Sequence, residues 1–139
     1  MRISSTFKVT GWEEVPYENK EGGPFLSRAT VTKEFSGGIE GESTAELLMC
    51  RADEKSTKGG AGYVASEAFS GSVDGRSGAF VMQHAGVEDL DGSHKTYGFI
   101  VPGSGQQELA GLRGEVEISV SKDGTHSLVL NCEMPAHEE

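Results

Sequence analysis

Glu67 and His84 are the pair of side chains best placed to do chemistry, because a hairpin turn lies between them. Asp74-Gly75, flanked by the alternating segments "AGYVASEAFSGSV" and "RSGAFVMQH", marks a two-residue turn joining two antiparallel strands. That turn sets Val73 opposite Arg76, Phe69 opposite Phe80, Glu67 opposite Met82 and Ala65 opposite His84. Residues two apart share a face of a strand, so Tyr63, Glu67, Phe69, Phe80, Met82 and His84 lie on one side. Glu67 and His84 are then diagonal neighbours within side-chain reach. If this face is enclosed, burial raises the carboxyl pKa while the imidazole stabilises the anion, and the pair can move a proton or orient a ligand. If it faces solvent or a subunit, the pair is an ordinary cross-strand contact. The opposite face carries Ala68, Ser70, Ala79, Val81 and Gln83, small enough to fill a narrow interior. Both orientations stay open at this level.

An internal repeat extends the candidate face. Residues 35–49, "FSGGIEGESTAELLM", align with 69–83, "FSGSVDGRSGAFVMQ", and six of fifteen positions are identical. The shared unit is a strand, an Asp/Glu-Gly turn and a second strand. Carried over to the first copy, the face gains Lys33, Phe35, Glu46 and Leu48. Ser43-x-x-Glu46 also fits a helical capping box, and "AELLMCR" is rich in helix formers. Strand pairing outranks local propensity, so the repeat predicts a strand over 43–50.

These hairpins sit in a chain dominated by alternation. "ISSTFKVTGW" puts Ile3, Ser5, Phe7 and Val9 on one face, and further short alternating segments end at Gly, Asp, Asn or Pro. Seven or eight strands and no long helix predict an antiparallel all-β domain, and 139 residues suit a single one, 1–139. Trp12, Pro16 and Tyr17 are expected to close one end of it, and 52–60 reads as a polar loop.

"VPGSGQQELAGLRGEVEISV", 101–120, imitates a phosphate loop but lacks its parts. Glu108 stands where a dinucleotide fingerprint needs a third glycine, and no Lys-Ser/Thr pair follows. It is a glycine-rich corner leading into a strand. A net charge of −10 disfavours nucleic acid and anionic membranes as partners. No apolar run approaches the length of a membrane span, and a cytoplasmic location is the expectation. Cys50 and Cys132 end apolar runs and read as buried free thiols. His94, His126 and His137 share no ligand spacing, so neither a metal nor a cofactor is expected.

"FSGSVDGRSGAFVMQHAG", "VPGSGQQELAGLRGE" and "FKVTGWEEVPY" together resemble a bacterial family of single-domain proteins of unknown function. That family is similar in turn to the allene oxide cyclase barrel shared by dirigent proteins. There a Gly-Ser/Thr-Gly and a Phe-x-Gly-x-x-Gly lead into a late barrel strand. Gly103-Ser104-Gly105 and Leu109-Ala110-Gly111-Leu112-Arg113-Gly114 occupy the equivalent place. The resemblance implies a closed antiparallel eight-stranded barrel and implies no activity. Three functions fit such a barrel: one binds a small apolar or amphipathic ligand in its cavity, at Tyr63, Glu67, Phe69, Phe80, Met82, His84 and Glu46. The second is a cyclase- or isomerase-like enzyme that guides a reactive apolar substrate. The third is a structural or interaction protein with a filled barrel. A homo-oligomer, most simply a dimer, is expected in each. A pocket reaching Glu67 and His84 favours the first two, a filled interior the third.

Overall fold

A computed structural model describes residues 1–53 and 60–134 of the chain. The strands are β1 (Arg2–Pro16), β2 (Phe25–Gly37), β3 (Ile39–Arg51), β4 (Ala61–Val73), β5 (Arg76–Glu88), β6 (His94–Ile100), β7 (Gln106–Gln107), β8 (Arg113–Val120) and β9 (His126–Glu133). The ring runs β4-β3-β2-β1-β9-β8-β6-β5 and returns to β4, so eight antiparallel strands close a barrel. The two-residue β7 lies outside the ring, against Gly78 and Ala79 of β5. No helix occurs among the described residues, and 43–50 is strand. The polar-loop segment and His137 fall largely outside the described residues.

Alternation explains the core. Along β1, Ile3, Ser5 and Phe7 point inward; Val9 keeps their register opposite the buried Lys33 but is exposed because it lies past the last β1 residue that β9 pairs with, and a bulge follows it before Gly11. Four phenyl rings form a chain through the lumen: Phe7 to Phe35 at 5.3 Å, Phe35 to Phe69 at 5.6 Å, and Phe69 to Phe80 at 5.1 Å. Ile39, Val73, Met82, Ile100, Val116, Leu128 and Leu130 pack round them. The 101–112 corner contributes Leu109 and Leu112 to the same cluster. Its fold depends on close approach: a Cβ on Gly105 would stand 2.0 Å from the Leu109 carbonyl oxygen. Glu108 in this corner accepts the Ser77 N–H through its side chain and donates its own N–H to the Ser77 carbonyl. It is a structural tie, and the corner is not a phosphate cradle.

Three expectations need correction. Trp12 and Tyr17 do not close the barrel; both are exposed, and the Trp12 indole donates to Glu14 on its own strand. That half of β1 lies past the bulge and beyond the reach of β9, which pairs only with residues 2–7. Cys132 is buried, whereas Cys50 is only half-buried, although both thiols are free. Glu46 does not join the candidate face; it is exposed on the outer wall, where it accepts a hydrogen bond from Thr30. The repeat placed a turn at Glu40-Gly41, but the chain reverses at Gly37–Gly38, and β3 pairs Lys33 with Ser43. The register differs by an odd number of residues, which sends every side chain of β3 to the other face. Leu48 moves outward with Glu46 for the same reason.

Candidate functional site

The Asp74-Gly75 turn has positive φ at both residues, 49° and 81°, the conformation of a tight hairpin whose twist suits its strands. It fixes Val73 opposite Arg76, Phe69 opposite Phe80 and Ala65 opposite His84. The face with Tyr63, Glu67, Phe69, Phe80, Met82 and His84 points into the barrel. Phe69, Phe80 and Met82 are core; the polar members form a connected network.

Glu67 is its centre and is wholly buried. Its Oε1 lies 2.9 Å from Lys33 Nζ and 2.8 Å from His84 Nε2, while Oε2 accepts from Ser43 Oγ at 2.6 Å. His84 Nδ1 stands 2.9 Å from the Tyr63 hydroxyl. With the ring proton on Nε2, His84 donates to Glu67 and accepts from Tyr63. Two glycines make room: a Cβ on Gly86 would lie 2.5 Å from the Tyr63 ring, and one on Gly98 3.1 Å from the His84 Cβ. Lys33 Nζ also rests 4.6 Å from the centre of the Phe7 ring.

Burial is the largest influence on the Glu67 carboxyl and pushes its pKa up. The His84 hydrogen bond, the Lys33 charge and the Ser43 hydrogen bond outweigh it and bring the pKa to about 2. Tyr63 is raised to about 12, first by burial and then by the Glu67 anion, so it is a phenol at neutral pH. No described buried side-chain nitrogen or oxygen lacks a partner. Lys33, Glu67 and His84 are closed off from solvent, and only Tyr63 is half-buried. A general base must meet its substrate. Glu67 instead spends its oxygens on three protein donors, inside a lumen already occupied by side chains. The arrangement can hold strands β2, β3, β4 and β5 together through one ionised carboxylate.

Ser43 was missed by the sequence reading, since only the true register of β3 turns it inward. The same slip hid a second region. On the outer wall, Arg28, Leu48, Val64, Ala85 and Tyr97 are successive register partners across β2, β3, β4, β5 and β6. Beside them runs Thr30, Glu46, Ser66, Gln83 and Phe99. A groove of about 540 Å3 follows these rows, lined by the apolar Leu47, Leu48, Val64, Ala65, Ala85, Tyr97 and Phe99 and touching His84, whose side chain is nonetheless only 3% exposed. Leu48 is 54%, Val64 53% and Tyr97 58% exposed. Leu26 and Val87 lie exposed just beyond. By contrast, the outer positions near β9 are mostly small and polar, Arg2, Ser4, Thr6, Ser36, Ser119 and Ser127 around Val129.

No group of three or more His, Cys, Asp or Glu placed to hold a metal occurs among the described residues. Among the described residues there is no helix long and apolar enough to cross a membrane.

A family model described as "Protein of unknown function (DUF3224)" matches residues 3–131. A solved structure is similar: a protein of unknown function from the DUF3224 family of Shewanella oneidensis MR-1. It is 31% identical, with 98% of each chain covered and a TM-score of 0.79. No curated protein matches. The chain belongs to the DUF3224 family.

Proposed function

We propose that this member of the DUF3224 family is a non-catalytic binding module that works through its outer wall, with the buried charges serving the fold. One observation carries this reading: the lumen is packed with side chains, while apolar ones line an open groove over β2–β6. Isolated exposed apolar residues are ordinary, but a contiguous set rimmed by polar groups is the mark of a contact surface. Arg28, Glu46, Ser66 and Gln83 form such a rim here. A groove of this size also falls in the range of small-molecule sites, about 300–1,000 Å3, so an amphipathic molecule is the second reading. The glycine-rich corner before β8 and the ring of eight strands support kinship with the allene oxide cyclase barrel. The two free thiols support a reducing compartment.

Oxidative footprinting in a cell extract tests the wall whatever occupies it. Tyr97 and Phe99 are expected to react slowly in the wild type there and much faster in Val64→Glu. Equal, rapid oxidation in both proteins would remove the outer wall as the working surface.

A further inference from the structure

The groove on the outer wall is a slot rather than a flat face. We propose that it takes a small amphipathic monocarboxylate, its acid group on Arg28 and its apolar body along Val64, Ala85 and the Tyr97 ring. The proposal rests on the outer-wall reading and names the ligand.

Side-chain size along the strand rows makes the slot. Its floor lies on β4 and β5, where Val64, Ser66 and Ala85 are short and the Gln83 amide is tied across to Ser66 Oγ at 3.0 Å. Its banks are long: Arg28, Glu46 and Leu48 from β2 and β3 on one side, Tyr97 and Phe99 from β6 on the other. From β3 to β6 is three strand spacings, roughly 14 Å, and the thickness of Leu48 and Tyr97 comes out of that width. A helix with its side chains is roughly 10–12 Å across and does not reach the floor. Nor does the convex wall of another barrel. An extended peptide finds no main-chain partners there, because β4 and β5 are each paired on both sides. What fits is a small molecule, and about 540 Å3 is a volume for one.

The polar groups of the rim choose its head. Glu46 Oε2 accepts from Thr30 Oγ1 at 2.9 Å, and Gln83 and Ser66 are bonded to each other. Arg28 alone of the four has no ion-pair or hydrogen-bond partner among the described residues. Its guanidinium carries N–H donors in a planar fork that suits a carboxylate. An ammonium head would instead meet an oxygen pair already shared with Thr30, beside the like charge of Arg28. Leu48, Val64, Tyr97 and Phe99, all close to half exposed, are left for an apolar body. The chain's charge of −10 works against any anion, so the body holds the ligand and Arg28 sets its direction.

NMR titration tests the ligand class by following the Tyr97 and Phe99 ring signals. The probes are octanoate and 3-phenylpropionate, each beside the alcohol and the amine of the same chain. Both acids are expected to shift these signals at lower concentration than their alcohols and amines. Arg28→Gln should weaken the acids about tenfold and leave the alcohols unchanged, while Val64→Glu should weaken every probe. Thermal melts confirm that both exposed substitutions leave the protein folded. Amines that bind best, or acids indifferent to Arg28→Gln, overturn the carboxylate. Rings unmoved by every probe overturn a small-molecule ligand. If Tyr97 and Phe99 are then still shielded in a cell extract, the outer-wall reading stands with a protein as its occupant; if they are not, both readings fall.

Discussion

The lumen and the outer wall depart from the usual partition in opposite directions. Lys33, Glu67 and His84 are charged or ionisable and buried; Leu48, Val64, Tyr97 and Phe99 are apolar and exposed. The lumen groups are fully partnered, each within 3 Å of another. The wall residues have only half a contact shell. A buried charge with all its partners is finished business for the fold, whereas an apolar surface without a cover invites something to bind. The two regions therefore divide labour between stability and recognition.

The largest expected effect lies in the lumen. Glu67→Ala strands the Lys33 ammonium in an apolar interior and leaves Ser43 and His84 without their acceptor. Breaking a buried pair in this way costs about 3–5 kcal/mol, read from the urea midpoint. On the wall, Leu48→Ser should change the unfolding free energy of the monomer by less than about 0.5 kcal/mol. Comparable losses at the two positions would break the contrast.

Acid sharpens it. Glu67 drops from an ordinary 4.5 to about 2 on folding. A lowered carboxyl contributes stability above its unfolded value, and this is lost as pH falls from about 4.5 towards 2. The shift corresponds to on the order of 3 kcal/mol. Denaturant titrations from pH 6 to pH 2 are expected to show that loss in the wild type, and a much smaller one in Glu67→Gln. Parallel curves would contradict an ionised Glu67 as the strut.

Smaller effects map the end of the network. Gly86→Ala places a methyl against the Tyr63 ring, whose displacement should cost about 1–3 kcal/mol. Tyr63→Phe removes one hydrogen bond to His84 and should cost about 0.5–1.5 kcal/mol. Thermal melts rank the two.

How legible these regions were in the sequence depended on the turns. Asp74-Gly75 declares its register in two residues, so Glu67, His84 and Tyr63 were found on one face from pairing alone. The β2–β3 reversal gave a false signal, because Glu40-Gly41 imitates Asp74-Gly75 while the chain turns earlier. A Cβ on Gly38 would meet Ile3 and the Ser4 carbonyl of β1, a contact that local sequence does not show. That one slip brought Glu46 in, left Ser43 out and concealed the wall. Orientation was also hidden: an Ala/Val face and a Phe/Glu/His face are both plausible interiors until closure of the ring chooses. The larger rings took the lumen, where Phe7 and Phe35 from other strands meet them.

Oxidative footprinting of Glu67→Gln in a cell extract at neutral pH tests the division of labour most directly. The variant keeps the shape of the carboxylate but not its charge. The expected result is a folded, less stable protein whose Tyr97 and Phe99 react as slowly as those of the wild type. A folded Glu67→Gln with faster oxidation there would contradict the account, because the lumen charges would then belong to the binding surface.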